Sequence, residues 1–130
     1  MKVVIDTSAI IAVVLGEEHR VQIIRQTEGA DLIAPETLHW EVGNAFSAMF
    51  KRGRLGLDAA VEALRRYDEI PIQWVEVALD DALRVSDRHD LYAYDAYMLV
   101  AARRHQAPLL TLDGGLKKAA RESEIDLLEV

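Results

Sequence analysis

The chain alternates short, β-branched apolar runs with longer segments that have the spacing of amphipathic helices. Strands are predicted at residues 2–6, 31–34, 72–74, 109–112 and 125–130. Helices are predicted at residues 9–15, 17–28, 36–51, 58–68, 77–89 and 95–105, with a further short helix after Gly115. Parallel strands need a crossover connection, which is usually helical. The alternation therefore predicts an α/β fold, a three-layer α/β/α sandwich around a parallel β-sheet.

Length and composition favour a soluble protein with one compact core. The 130 residues fit a single domain spanning 1–130, and the 51% hydrophobic content can build a core without disulfides. The absence of cysteine excludes zinc-thiolate and iron–sulfur sites and fits a reducing compartment. No segment approaches the roughly 20 apolar residues that span a bilayer. Asp6 comes too early for a signal peptide, so we expect a cytoplasmic protein with no membrane partner.

Four acidic residues lie where the pattern predicts burial or the end of a strand. Asp6 follows the apolar run of the first strand, and Asp113 follows the run that precedes the glycine pair. Glu41 flanks the apolar stripe of its helix, and Asp95 opens a helix that is otherwise almost wholly apolar. Buried charge is costly unless it is paired or binds metal. Because cysteine is absent and histidines are few, the four acids suggest one pocket for a hard divalent cation.

Each of these acids also has an ordinary structural explanation. Asp6 could cap a helix, Glu41 could reach solvent from a helix boundary, and Asp95 could complement a helix dipole. Asp113, which precedes two glycines, could belong to a turn. Ligands of parallel α/β sheets bind outside the carboxyl ends of strands, where Asp6 and Asp113 are both predicted. The four ordinary explanations would all have to hold at matching positions, so the joint pattern favours a site.

The chain resembles the PIN-domain ribonucleases, and most closely the VapC-type toxins of toxin–antitoxin modules. The matching segments run in order along essentially the whole chain. They are Val4-Ile5-Asp6-Thr7-Ser8-Ala9, Pro35 with Glu41-Val42-Gly43-Asn44-Ala45, Tyr94-Asp95-Ala96-Tyr97 with Ala101, and Leu110-Thr111-Leu112-Asp113 with Leu116. The first segment alone is a weak signal, whereas the four together are specific. The resemblance implies a PIN-like α/β/α sandwich around a parallel sheet.

The resemblance also implies a site and an activity. Members of the family bind Mg²⁺ or Mn²⁺ through their acids and cleave RNA phosphodiester bonds. Carried over, Asp6, Glu41, Asp95 and Asp113 are the expected metal-site acids, the fourth of which is the least uniform in the family. The expected supporting polar or backbone-turn positions are Thr7, Ser8 and Thr111. VapC-like proteins usually form homodimers and are inhibited by a small antitoxin, so a VapB-like partner is expected.

The residue types favour metal-assisted hydrolysis of RNA with in-line attack. A carboxylate pocket without metal would repel a phosphate, whereas a cation attracts it and lowers the pKa of bound water. Asp6 and Asp95 are expected to hold the principal ion, with Glu41 and Asp113 positioning metal, water or a second ion. A metal-free acid–base route lacks a well-placed histidine. The histidines are scattered and expected at the surface: His19, His39, His89 and His105.

The net charge of −7, from 15 basic and 22 acidic residues, argues against non-specific binding of nucleic acid by a basic surface. The predicted RNA-binding residues are Lys51, Arg52 and Arg54, which cluster beside a glycine-flanked loop. Two further basic pairs are Arg103-Arg104 and Lys117-Lys118. For each group, a solvated helix end is the alternative. The large apolar residues Trp40, Phe46, Phe50 and Trp74 fit either a partner-binding surface or the core.

Three other functions are compatible with parts of the pattern. A phospho-receiver signalling domain matches the size and the alternation, but it needs an acidic pair after the first strand, and Asp6 is followed by Thr7 and Ser8. A haloacid-dehalogenase-like phosphatase needs an aspartate at position 8, which is serine. The third is a PIN-like module that binds RNA or protein without cutting it, against which the four intact acids argue.

Overall fold

The computed structural model describes all 130 residues and contains a parallel β-sheet of four strands. The strands are β1 (Lys2–Ile5), β2 (Asp31–Pro35), β3 (Ile72–Val75) and β4 (Leu109–Leu110). The helices are α1 (Thr7–Val14), α2 (Arg20–Gln26), α3 (Thr37–Lys51), α4 (Leu57–Asp68), α5 (Leu79–His89), α6 (Ala93–His105) and α7 (Gly114–Glu122). The strand order in the sheet is β3-β2-β1-β4, and all pairs are parallel.

The helices cover both faces of the sheet. From β1 to β2 to β3 the chain steps in one direction, and from β3 it crosses back to place β4 on the other side of β1. Because such crossovers are right-handed, α1 to α4 lie on one face and α5 and α6 on the other. Accordingly, α1 packs against α2, α3 and α4, whereas α5 packs mainly against α6. The predicted three-layer α/β/α sandwich is confirmed.

The direction of the connections reverses between β1 and β4. Neighbouring strands whose connections leave in opposite directions open a crevice at their carboxyl ends, where ligands bind in α/β proteins. Asp6 directly follows β1, and Thr111 directly follows β4. The topology therefore brings the ends of the first and last strands together at one crevice.

The core is one continuous cluster of 28 buried residues from both faces of the sheet. In β1, Val3, Val4 and Ile5 are all buried, as expected for a central parallel strand that is covered on both sides. Opposite it, Met98 and Leu99 of α6 are almost fully buried. The carboxyl end of β1 is thus set in a well-packed region, which restricts the positions that Asp6 can adopt.

The two C-terminal strand predictions were too long. The strand predicted at 125–130 is wrong, because only Leu127 forms an isolated bridge, to Leu109. β4 ends at Leu110 because the next backbone donors turn towards side chains, with the Leu112 N–H donating to Ser8 Oγ. A two-residue β4 offers too little backbone for a longer strand beside it.

The helix predicted at 17–28 was also too long, since α2 has only seven residues. Gly16, left-handed at a φ of 67°, reverses the chain after α1, so the next helix begins later. Of the large apolar side chains of α2, Ile23 is buried, whereas Val21 and Ile24 are 55% and 44% exposed. The other predicted helix ends agree with the structure within two residues.

Two further observations concern the surface. None of the helices combines the length and the apolarity that crossing a bilayer requires. Among the large apolar side chains that fitted either core or partner surface, Phe46 belongs to the core. Trp40, Phe50 and Trp74 remain 69%, 39% and 40% exposed, so they are surface residues in this chain.

Candidate functional site

Asp6 is buried at the crevice between β1 and β4 and is only 6% exposed. It occupies the N-cap position of α1, but its side chain makes no capping hydrogen bond. Its Oδ2 instead accepts hydrogen bonds from Ser8 Oγ at 2.9 Å and from Thr111 Oγ1 at 2.7 Å. Side-chain capping therefore does not explain this aspartate, and two hydroxyl groups from different parts of the chain hold it.

The direction of these two hydroxyl hydrogen bonds is fixed by the backbone. Ser8 Oγ accepts from the Leu112 N–H at 2.9 Å, and Thr111 Oγ1 accepts from the Asp113 N–H at 3.1 Å. A hydroxyl has one proton to donate, so each is free to direct it at Asp6. The network joins the start of α1 to the end of β4 and leaves Asp6 Oδ1 outside these bonds.

Glu41 lies on α3 and is half-buried. Its Oε2 accepts a hydrogen bond from Thr7 Oγ1 at 3.3 Å, while its Oε1 is buried without any partner. Burial first, and then the charge of Asp6, raise the pKa of Glu41 to about 7, with a smaller contribution from Asp95. A buried acceptor with no donor is unusual, and it suggests that a proton or a cation belongs there.

Thr37 precedes Glu41 by one helical turn and was missed in the sequence. Its hydroxyl is near enough to lower the pKa of Glu41 slightly, but it stays outside hydrogen-bonding geometry. The Thr37 hydroxyl and Glu41 Oε1 are therefore both buried without a hydrogen-bond partner, since such a bond needs both distance and direction. The spacing of four residues on a predicted helix was the available signal, since such residues share a face.

Asp95 lies in the first turn of α6 and is half-buried. Burial raises its pKa, and the charges of Asp6 and Asp113 raise it further. A surface carboxylate that only complemented a helix dipole would not show this combination. The charges of Asp6 and Asp95 contribute to the raised pKa of Glu41, and those of Asp6 and Asp113 contribute to the raised pKa of Asp95. Charge repulsion therefore links all four predicted acids.

Asp113 differs from the other three acids because it is exposed and because its side chain caps a helix. It is the N-cap of α7, and its Oδ2 accepts a hydrogen bond from the Leu116 N–H at 3.1 Å. The glycine turn that was the alternative at this position is not formed, because Gly114 and Gly115 are the first residues of α7 and Asp113 caps that helix. Its charge still reaches Asp95, so it lies at the rim of the same acidic region.

The acidic region, formed by Asp6, Glu41, Asp95 and Asp113, has features that bear on the binding of a divalent cation. No three acidic or histidine side chains are arranged closely enough to form a ready metal site. The donor set nevertheless fits a hard cation, because it consists of carboxylate oxygens alone. Glu41 Oε1 is buried without a partner, and burial, followed by repulsion between the acids, raises the pKa values of Glu41 and Asp95. A bound cation would offset both effects.

The predicted RNA-binding residues are not brought to the acids. Lys51, Arg52 and Arg54 are exposed at the far end of α3 and in the loop after it. Lys51 follows Glu41 by ten residues on the same helix, which corresponds to roughly 15 Å along its axis. These side chains can contact a long substrate, but they do not form part of the acidic pocket.

The histidines lie apart from the acidic pocket, as expected, but one of them is not a surface residue. His89 has a side chain that is only 9% exposed, contacts Glu122 at 3.2 Å and makes a 3.0 Å hydrogen bond with Ser123 Oγ. The surface prediction for His89 was wrong, because α7 packs over it. His39 is exposed and bonds to the Tyr67 hydroxyl at 2.9 Å, next to the ring of Trp74.

The fold and the acidic crevice define a class, namely parallel α/β domains with a carboxylate pocket at the strand switch point. Within that class, the PIN domain family matches residues 3–122. The chain therefore belongs to the PIN domain family.

Individual relatives agree with this assignment. The chain is 30% identical over 118 residues to Ribonuclease VapC3 of Pyrobaculum aerophilum, an alignment that covers 87% of this chain and 90% of that protein. The crystal structure of PAE2754 from Pyrobaculum aerophilum superposes with a TM-score of 0.71 at 25% identity, covering 92% of this chain and 79% of that one. A domain of a functionally unknown Methanocaldococcus jannaschii protein has the same fold, with a TM-score of 0.55 at 22% identity and coverage of 99% and 91%.

Proposed function

We propose that this chain, as a single domain of residues 1–130, is a metal-dependent endoribonuclease and the toxin of a toxin–antitoxin pair. Membership of the PIN domain family and the likeness to Ribonuclease VapC3 support a nuclease that hydrolyses RNA. The observation that carries the proposal is the buried carboxylate of Asp6, oriented by Ser8 and Thr111 at the crevice beside Glu41 and Asp95.

The proposed ligands are Asp6 and Asp95 for the principal ion, with Glu41 and Asp113 positioning water or a second ion. Bound there, Mg²⁺ or Mn²⁺ would supply a Lewis acid and lower the pKa of a bound water. Ser8 and Thr111 keep Oδ2 of Asp6 occupied, so Oδ1 is the oxygen that remains to face a ligand.

Glu41 has two oxygens with different tasks. Thr7 holds Oε2, which fixes the rotation of the carboxyl group. Oε1 has no partner and is therefore the atom that can take a proton or a ligand. Its pKa of about 7 lets the group change protonation near neutral pH, which suits a role in orienting and deprotonating water.

RNA and an antitoxin are the proposed partners. Lys51, Arg52 and Arg54 are accessible to a strand that extends beyond the crevice. A VapB-like antitoxin could enter the acidic pocket with a basic side chain, in competition with metal. We also propose a homodimer, which the exposed aromatic residues Trp40 and Trp74 would help to stabilise.

Cleavage of RNA by the purified chain tests the proposal. Mg²⁺ or Mn²⁺ should support cleavage, and a chelator should stop it. Asp6→Asn should abolish cleavage without unfolding the protein, while the matched control Asp68→Asn, on the exposed side of α4, should cleave like the wild type. Undiminished cleavage by folded Asp6→Asn would reject the site. RNA binding without any metal-dependent cleavage would instead favour the non-cutting PIN-like module.

A further inference from the structure

A cavity of about 450 Å³ lies along α5 and α6, and none of the four proposed active-site acids lines it. Its volume is within the range of small-molecule sites, roughly 300–1,000 Å³. Its floor includes the apolar side chains of Val85 and Leu99, and four arginines contribute to its walls. A cavity with apolar side chains and four arginines in its lining has the composition of a site for an anion that carries an apolar or planar group.

The arginines are not all engaged within the chain. Arg84 pairs with Asp80 at 3.1 Å and with Asp81 at 3.2 Å, and Asp81 is the only carboxylate that lines the cavity. This pairing offsets the charge of Asp81. The other three arginines, Arg88, Arg103 and Arg104, form none of the ion pairs of the structure.

Arg103 is the one of these three whose side chain makes a hydrogen bond within the chain. One of its N–H groups donates to the Ser123 carbonyl oxygen at 2.6 Å, which ties the side chain to the segment after α7. A guanidinium has five N–H donors, so most remain available. A smaller cavity, of about 230 Å³, adjoins this position and is lined by Arg88 and Arg103 together with the carboxylates of Glu122 and Glu124.

Compensation of helix dipoles explains only part of this arrangement. Arg88 lies in the last turn of α5, and Arg103 and Arg104 lie in the last turn of α6, where positive charge is favourable. That effect accounts for the presence of basic residues in each helix, but not for their convergence on one apolar cavity. In a chain with a net charge of −7, the cavity is a local concentration of positive charge.

We propose that the cavity along α5 and α6 binds a nucleoside phosphate, with the phosphate on Arg88, Arg103 and Arg104 and the base over Val85 and Leu99. Arginine binds phosphate oxygens through paired N–H groups and also stacks on planar rings, which lysine cannot do. The same chemistry could come from a free mononucleotide or from one unit of an RNA chain.

Helix α6 carries residues of both sites, Arg103 at this cavity and Asp95 at the acidic pocket. Binding of a nucleotide in the cavity does not require catalysis. Asp95 and Arg103 are eight residues apart on α6, which corresponds to roughly 12 Å along the helix axis. An RNA strand in the crevice could therefore place a neighbouring nucleotide in the cavity. A protein without nuclease activity would still be expected to bind the mononucleotide.

Calorimetric or NMR titration of the full chain with AMP, adenosine and inorganic phosphate tests the proposal. AMP should bind at least about tenfold more tightly than either fragment, because base and phosphate are held together. Arg88→Ala and Arg104→Ala should each weaken AMP binding about tenfold, and Arg88→Lys should recover only part of the loss. The matched control is Arg25→Ala, in the last turn of α2 and outside the cavity, which should bind AMP like the wild type.

The outcomes separate the alternatives. Equal affinity for AMP and phosphate would overturn the proposal in favour of a simple basic patch, and so would AMP binding that survives both alanine substitutions. Because the substituted side chains are exposed, circular dichroism should show unchanged folding. Displacement of bound AMP by single-stranded RNA, with a chelator present to prevent cleavage, would identify the RNA chain as the source. AMP binding that RNA does not displace would identify a free nucleotide.

Discussion

The ends of β1 and β4 meet at one crevice, yet their aspartates have different environments. Asp6, after β1, is buried, makes no cap hydrogen bond and accepts from two hydroxyl groups. Asp113, three residues after β4, is exposed and caps α7 through the Leu116 N–H. Topology brings both carboxylates to the same edge of the sheet, and both are held through Oδ2, but only Asp6 is buried in the crevice.

At the β4 end, Thr111 and Asp113 contribute to the site in different ways. Thr111, which is 1% exposed, is the residue that reaches Asp6, whereas Asp113 contributes its charge from the rim. In the proposed site the two strand ends contribute unequally. The β1 end supplies Asp6 as a ligand of the principal ion, and the β4 end supplies the Thr111 hydroxyl that orients Asp6 and, from the rim, the Asp113 carboxylate.

The largest expected effect is the difference between Asp6→Asn and Asp113→Asn in RNA cleavage. Replacing groups that only orient metal ligands typically costs 10–100-fold, so loss of a direct ligand at Asp6 should exceed roughly 100-fold. Asp113→Asn keeps the cap and removes only a rim charge, so it should cost less than about tenfold. Single-turnover cleavage with saturating Mg²⁺ measures the loss of rate in each variant. Equal losses would contradict the proposed difference between the roles of Asp6 and Asp113.

Thr111→Val should give the next largest effect. The substitution removes the 2.7 Å hydrogen bond to Asp6 Oδ2 at nearly constant volume. Cleavage should fall roughly 10–100-fold, with a higher Mg²⁺ concentration needed for half-maximal activity. Thr7→Val, which loses a longer bond to Glu41, is the comparison variant. A loss for Thr111→Val that only tracked stability, with no change in the Mg²⁺ requirement, would indicate a structural role.

The difference between the strand ends also shows what the sequence could predict. The apolar run of β1 and the periodicity of α3 and α6 were strong local signals, so the sheet, its layers and the positions of the acids were foreseen. The hydrogen bonds from Thr111 to Asp6 and from the Leu112 N–H to Ser8 join residues 105 and 104 positions apart, and no local pattern encodes their directions. Those same contacts end β4 early, which is why its length was overpredicted.

The charge of Glu41 should make stability depend on pH. Unfolded, the group titrates near 4.5, and folded it titrates at about 7, so between these values the folded state holds a proton that the unfolded state has released. Stability should therefore decline as the pH rises from about 4.5 to about 7. Because the side chain is partly exposed, solvent screening reduces the expected gain of Glu41→Gln to about 1 kcal/mol at alkaline pH.

Urea unfolding of the wild type and Glu41→Gln across this pH range measures the effect. The two proteins should be equally stable below about pH 4.5, should separate as the pH rises from about 4.5 to about 7, and should differ most above about 7. Adding Mg²⁺ at alkaline pH should stabilise the wild type more than Glu41→Gln, because a ligand that binds only the folded state adds to its stability. A stability difference that stays constant with pH would contradict the raised pKa.

The smallest expected effect isolates the cap at the β4 end. Asp113→Ala removes both the charge and the hydrogen bond to the Leu116 N–H, whereas Asp113→Asn keeps an acceptor there. Alanine should destabilise the protein by about 0.5 kcal/mol, the lower end for loss of an N-cap, because the site is exposed. Asparagine should be neutral or slightly stabilising, since it also relieves the repulsion that raises the pKa of Asp95. Equal destabilisation by both substitutions would mean that the charge of Asp113, and not its cap, matters for folding.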